Sequence, residues 1–291
     1  MPPLSTWIMA ARPRTLSLSL TPVAVGASLA FAGYGELRWP AVVVAALAAT
    51  LIQIGTNLHN DAADSVRGGD GPGRIGPRRV TAAGLVSAKA VERAALLCFA
   101  GAAVAGLYLV GVGGWPILLL GLLSILSGWA YTGGPLPIAY TPLGEIFVLA
   151  FFGLGGVCGT FWLAAGRLDA AAGIGGLCLG LFAAAVLLVN NYRDAAEDRK
   201  AGRHTLAMAL GRRGSGALYA GLMLGPFALL AALAPLAGAH VWLALAAAPL
   251  AGGVIWRFWR EPVGEKFNAI LAQTAQVQAI FATLLCLGLL L

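Results

Sequence analysis

Long uninterrupted apolar runs alternate along the chain with short polar breaks. The runs show neither the one-sided stripe of a surface helix nor the alternation of a half-buried strand. They fall at about 16–33, 40–58, 94–112, 115–131, 145–165, 170–190, 215–235, 239–256 and 268–291. Each approaches the roughly 20 apolar residues a helix needs to cross about 30 Å of hydrocarbon. Continuity favours helices over a closed barrel, the only other structure that satisfies its backbone in lipid. The pattern therefore predicts an all-α, polytopic membrane protein of about nine transmembrane helices, forming a single domain over residues 1–291.

Composition agrees. Of 291 residues, 59% are hydrophobic and only 11% are charged, against about 25% charged in a soluble domain. A water-soluble globule, a disordered chain and a coiled coil are excluded. Cys98, Cys158, Cys178 and Cys286 lie singly in apolar runs, without the spacing of a disulfide or zinc framework. The first apolar run lacks a cleavage site and reads as a retained helix.

The net charge of +7 would suit a nucleic-acid partner, but the placement of the charges argues otherwise. With the N-terminus in the cytoplasm, Arg38 and Arg167 alone among the Lys and Arg residues fall on the outer side. That is the positive-inside bias, and it implies a multi-pass protein of the cell inner (plasma) membrane with its C-terminus outside. Two inner connections, about 58–93 and 191–214, are long and polar. Loops of that length usually carry function.

Both connections begin in an acidic cluster. The first is Asn57-Leu-His-Asn60-Asp61-Ala-Ala-Asp64, continuing to Arg67 and Asp70; the second is Asn190-Asn191-Tyr-Arg193-Asp194-Ala-Ala-Glu197-Asp198. Residues three and four apart share a helix face. Asn57, Asn60, Asp61 and Asp64 therefore form one oxygen-rich patch, and Asn190, Asp194 and Asp198 another. Acids at membrane depth are costly unless partnered and so mark candidate sites. A lone acid pair there is ordinarily a solvated helix end. Two matched clusters on one side of the bilayer, each followed by a basic loop, are harder to explain that way. Facing each other, they would hold a hard cation such as Mg²⁺, which combines a few carboxylates with water and substrate phosphates. Arg67, Arg74, Arg193, Arg199, Lys200 and Arg203 supply donors for phosphate oxygens. His59 and His204 read as polar boundary residues.

The sequence resembles the UbiA superfamily of intramembrane aromatic prenyltransferases, and within it the branch that prenylates 1,4-dihydroxy-2-naphthoate in menaquinone synthesis. The likeness runs through Arg12-Pro-Arg-Thr-Leu, Asn57 to Asp70, Arg74-Ile-Gly-Pro-Arg-Arg79, Tyr131-Thr-Gly-Gly-Pro, Leu143-Gly-Glu145, Asn190 to Asp198 and Gly202-Arg-His-Thr-Leu206. One departure stands in the first cluster: Gly68 takes the place of a third Asp, and Asp70 looks like its replacement. The resemblance implies a helical bundle around a central cavity with a cytoplasmic cap. It implies transfer of a polyprenyl group from an allylic polyprenyl diphosphate to the naphthoate, with loss of carbon dioxide and diphosphate. It further implies Mg²⁺, as two ions bridging the diphosphate. Asn60, Asp61, Asp64, Asp194 and Asp198 would hold metal, and Asn57, Asn60, Arg67, Asp70, Arg74, Asn190, Asn191, Arg193 and Arg203 would bind substrate. Tyr131 would face the diphosphate or the cation, or else belong to the interfacial aromatic belt. Arg12 anchors the first helix or meets the acceptor's carboxylate. The expected partners are the two substrates and the lipid bilayer. The alternatives are another aromatic acceptor (4-hydroxybenzoate or homogentisate) or a secondary transporter.

Overall fold

The computed structural model describes residues 2–35, 37–66 and 75–291. Helices make up its regular structure, and no strand occurs among the described residues. A short helix, α1 (Leu4–Ala11), precedes the first span, α2 (Ser17–Tyr34). Then come α3 (Trp39–Val66), α4 (Ala88–Gly113), α5 (Trp115–Ala130), an interrupted span α6–α7 (Gly144–Val148 and Gly156–Ala165) and α8 (Ala170–Lys200). The chain ends with α9 (Leu206–Ala237), α10 (Ala248–Arg260) and α11 (Lys266–Leu290). Among the described residues, eight helical stretches are long and apolar enough to cross a membrane, and α5 is a shorter apolar ninth of 16 residues.

Two differences from the apolar pattern matter for function. α3 continues to Val66 and α8 to Lys200, well beyond the ends of their apolar runs near 58 and 190. Hydropathy marks where lipid ends, whereas the helix persists through alanine-rich polar sequence (Ala62-Ala63, Ala195-Ala196) that favours it. Both acidic clusters thus stand on helix ends that project past the apolar zone. The second difference is α1, too short and too polar in its flanks to register as a span.

α8 lies at the centre, packed against α2, α9, α11 and the α6–α7 span. On its core side Phe182 meets Phe281 edge-on at 5.1 Å and Phe227 at 6.0 Å between ring centres. Residues Leu149–Gly155 form a π-helical turn within the α6–α7 span, a rare widening that often marks functional helices. There Gly153 approaches Gly176 and Gly180 of α8 so closely that a Cβ on it would strike their backbone. α3, α4 and α5 pack in sequence on the other side, and α11 against α2 closes the ring. Large apolar side chains such as Leu96, Leu97 and Trp115 stay exposed around the outside, as contact with lipid requires. Arg167 stacks on Tyr34 at 4.6 Å, at the end of the bundle remote from the acidic clusters.

Candidate active site

Inside the ring lies a cavity of about 500 Å³, bounded by α2 to α8. Its walls are apolar over most of their height, with Leu107, Leu120, Phe147, Phe151 and Gly159 among the lining residues. Gly155 and Gly159 present their bare faces to Leu120 across it. One end is polar. Of the residues predicted from sequence, Asn57, Asn60, Asp64, Tyr131, Asn190, Asn191 and Arg203 line it. Asp61, Arg193, Asp194 and Asp198 do not, and Arg67, Asp70 and Arg74 lie outside the described residues.

Asp64 is the centre of this end. It is 1% exposed and held between two guanidiniums, Arg79 at 2.7 Å and Arg203 at 2.5 Å. Arg203 also bonds Asp198 at 3.1 Å. A single arginine therefore joins the end of α3 to the end of α8, across 139 residues of sequence. Local structure aims it there. Gly202, at φ +74°, turns the chain back at the end of α8, and the Arg203 N–H donates to the Asp198 carbonyl at 2.9 Å. Burial pulls the Arg203 pKa down, but the Asp64 and Asp198 carboxylates outweigh it and the net direction is up. The side chain remains a cation. Its guanidinium also lies over the Tyr140 ring at 5.1 Å.

The neighbouring acids are engaged differently. Both Asp61 oxygens accept backbone N–H groups at 3.0 Å, from Val80 and Thr81. Asp61 thereby pins the connection that presents Arg79, whose guanidinium also donates to the Asn60 carbonyl at 2.6 Å. The Asn60 side chain takes a short hydrogen bond from Thr132. Arg193 is 2% exposed and forks onto Asp194 at 2.6 and 2.8 Å, with further bonds to Asn190 and Asn268 at 2.9 Å each. Asn268 donates in turn to the Ile75 carbonyl at 3.0 Å. Asn191 donates to Glu145 at 3.0 Å. His59 Nδ1 sits 2.8 Å from Glu92.

Sequence reasoning passed over Arg79 as a contact for the acids, although it stands in the quoted Arg74–Arg79 stretch. Its partner lies fifteen residues back around a connection whose path no spacing reveals. Tyr131 lines the cavity, as a residue facing substrate must.

The donor set suits a hard cation. Amide and carboxylate oxygens of Asn57, Asn60, Asp64, Asn190 and Asn191 line the polar end; among the described residues no group of three or more Asp, Glu, His or Cys could by itself hold a metal ion, so a bound ion would draw on water and substrate oxygens. Mg²⁺ is typically held so, by few protein ligands plus water and substrate phosphates.

An apolar chamber in a helical bundle, closed at one end by acids, amides and guanidiniums, is a shape that would suit an amphiphile with an anionic head. The model of the UbiA prenyltransferase family matches residues 19–272. The chain is 37% identical over 231 residues to the 1,4-dihydroxy-2-naphthoate octaprenyltransferase of Escherichia coli, covering 77% of this chain and 75% of that one. It is 34% identical to the Haemophilus influenzae protein of the same name, over 99% and 96% of the two chains. A UbiA homologue from Archaeoglobus fulgidus, solved bound to DMAPP and Mg²⁺, superimposes with a TM-score of 0.69 at 15% identity, over 98% of this chain and 99% of that one. The chain belongs to the UbiA prenyltransferase family. It is a multi-pass membrane enzyme, a prenyltransferase, and the transporter alternative falls away.

Proposed function

We propose that this enzyme transfers a polyprenyl group from an allylic polyprenyl diphosphate to 1,4-dihydroxy-2-naphthoate, releasing diphosphate and carbon dioxide. The observation that carries the reading is the meeting of Asp64 and Asp198 on Arg203 at the polar end of the apolar cavity. The names of the two naphthoate relatives support the acceptor.

A long isoprenoid tail fits the apolar walls, and its diphosphate belongs beside Arg79 and Arg203. These two arginines are the donors best placed to share their bonds between Asp64 and phosphate oxygens. Mg²⁺ would be held by Asn60, Asp64, Asp194 and Asp198, with Asp61, Asn190 and Asn191 assisting, and two ions would match the two helix ends. When bound, the metal supplies charge neutralisation for the departing diphosphate. The homologue with DMAPP and Mg²⁺ supports this choice of ion.

The chain's own part is electrostatic. Arg79 and Arg203 stabilise the charge that develops on the leaving oxygens, in a site where water is scarce and such interactions are strong. Arg67, Asp70 and Arg74 complete the substrate contacts on this reading. The apolar walls keep water from the allylic carbon, which water would convert to an alcohol. The Tyr131 ring or hydroxyl faces the same carbon or its diphosphate. The ring carbon that bears the carboxyl takes the prenyl group, and the carboxyl leaves as carbon dioxide. The polar end faces the cytoplasm of the inner membrane, with the N-terminus inside and the C-terminus outside, as the charge bias of the loops requires.

The test uses membranes that overexpress the full chain, supplied with polyprenyl diphosphate and naphthoate labelled in its carboxyl. Labelled carbon dioxide and a prenylated, decarboxylated naphthoquinol should appear, should stop on chelation, and should return with Mg²⁺. A product that retains the carboxyl would overturn the acceptor assignment.

A further inference from the structure

Two asparagines stand side by side at the polar end of α8 and are held in opposite ways. Asn190 Oδ1 accepts from Arg193 Nη2 at 2.9 Å. A guanidinium can only donate, so Asn190 must face it with oxygen and keeps its N–H groups free. Asn191 is the reverse. Its Nδ2 donates to Glu145 Oε1 at 3.0 Å, and its Oδ1 makes no hydrogen bond among the described residues. Both residues line the cavity, and neither free end is among the polar atoms shut away from solvent without a partner. The cavity therefore meets N–H groups on Asn190 and a carbonyl oxygen on Asn191.

Glu145 is the less ordinary of the two holders. It lies on α6, is 5% exposed, and does not itself line the cavity. Gly144 beside it stands so near the end of α5 that a Cβ there would lie 3.5 Å from the Tyr131 hydroxyl. Arg193 is neutralised by Asp194, whereas Glu145 has no ion pair among the described residues. Its Oε2 is buried without a hydrogen-bond partner. A buried acid with a single amide beside it is costly, and acids at membrane depth are kept for function rather than packing. A carboxylate gives what a glutamine does not, a single orientation. Both its oxygens accept, so whichever one meets Asn191, the amide must turn its nitrogen to it.

We infer that Glu145 is a positioning residue for metal binding: it fixes the Asn191 amide so that Oδ1 is offered to the divalent cation. The assignment rests on the prenyl-transfer reading above, with Mg²⁺ beside the diphosphate, and adds a residue that touches neither. Hard cations bind carboxylate and amide oxygens, never N–H groups. An Asn191 turned the other way would present the cation with donors. Groups that hold a ligand from behind commonly set metal affinity by about ten- to a hundredfold. Asn190, with its oxygen already taken by Arg193, cannot substitute for its neighbour in the same orientation.

The experiment uses the purified full chain in detergent and two probes, inorganic diphosphate and Mg²⁺. Diphosphate is titrated first without metal, then Mg²⁺ at saturating diphosphate, each read as a rise in melting temperature. Wild type should respond to both. Glu145→Met keeps the bulk and removes both acceptors. It should weaken Mg²⁺ binding about ten- to a hundredfold and leave metal-free diphosphate affinity within about twofold, a change worth little free energy. Glu145→Gln can meet Asn191 with either end and should fall between. The decisive variant exchanges the pair by combining Glu145→Gln with Asn191→Asp. The amide now donates from α6 and the carboxylate accepts on α8, with its second oxygen left for the cation. This double variant should bind Mg²⁺ at least as well as wild type. Asn191→Asp alone sets two carboxylates against each other and should bind it more weakly than the double variant. A double variant no better than either single one would make Glu145 a packing residue and overturn the assignment. So would a Glu145→Met loss equal for Mg²⁺ and metal-free diphosphate. If Glu145→Met does not fold, the exchange decides alone. Should wild type show no Mg²⁺ response, the parent reading fails. Should wild type respond while Glu145→Met is indifferent, only this assignment fails.

Discussion

The two acidic helix ends look alike in sequence and work differently in space. On α3, three of the four predicted residues (Asn57, Asn60 and Asp64) face the cavity, and Asp64 is held by arginines from two distant parts of the chain. On α8, only Asn190 and Asn191 face it. The rest of that cluster turns inward: Arg193 is saturated by Asp194, Asn190 and Asn268, below a layer in which Tyr192 meets Phe258 at 5.0 Å and Phe267 at 5.5 Å. A shared motif therefore hides a division of labour. The α3 end holds charge where substrate arrives, and the α8 end fastens the bundle and lends Asp198 to Arg203.

The sharpest way to break this comparison is Asp64→Asn. It keeps the shape but removes the charge that organises Arg79 and Arg203 and, on the proposed reading, the metal. Turnover should fall about a thousandfold or more, on the scale of losing a principal electrostatic group. Activity in purified membranes, with abundance checked by immunoblot, is the measurement. Turnover within tenfold of wild type would remove Asp64 from the site. Arg193→Gln should act through stability instead. Breaking a buried ion pair from one side costs about 3–5 kcal/mol, so its melting temperature in detergent should fall steeply. Arg203→Lys lies between the two. It keeps the charge but not the fork that spans Asp64 and Asp198, and the diphosphate KM should rise by roughly ten- to a hundredfold, in line with losing one charge-assisted bond.

Much of this could be read in the sequence. The apolar runs located every span, because lipid imposes a length that ordinary packing does not. Helix spacing grouped Asn57, Asn60, Asp61 and Asp64 as one patch and Asn190, Asp194 and Asp198 as another; of these, Asn57, Asn60, Asp64 and Asn190 line the cavity, and Asp61, Asp194 and Asp198 do not. What could not be read is which face meets which partner. Asp61 and Asp64 are equivalent by pattern, three residues apart, yet Asp61 binds the Val80 and Thr81 backbone while Asp64 binds two guanidiniums. Arg79 was an ordinary basic residue until folding set it against Asp64. Such choices depend on connection paths, which periodicity does not encode. The π turn at Leu149–Gly155 was hidden for a related reason: it changes backbone register without changing hydropathy.

A smaller effect should come from Gly133, on the connection after α5. A Cβ there would strike His59 and the Trp129 carbonyl, and His59 is fixed by Glu92 and stacked on Trp129 at 6.0 Å. Overpacking of this kind costs about 1–3 kcal/mol. Gly133→Ala should shift the neighbouring Thr132, which holds Asn60, and raise the diphosphate KM a few-fold, about what such an energy would give. An unchanged KM together with an unchanged melting temperature would show that the connection yields freely and does not set the α3 end.

The least expected effect is the most instructive about charge. Lys200 stands three residues before Arg203, at the end of α8, and carries the same sign. Yet it is 72% exposed and pairs with Glu197 at 2.6 Å, where water and salt screen it. Exposed pairs of this kind contribute about 0–1 kcal/mol, and Lys200 does not line the cavity. Lys200→Ala should therefore leave KM, turnover and melting temperature within error of wild type, measured in parallel with Arg203→Lys. If the two variants weakened diphosphate binding alike, net charge at the α8 end would be doing what we assign to Arg203. The distinction between a guanidinium buried against two carboxylates and an ammonium in water would then carry no functional weight.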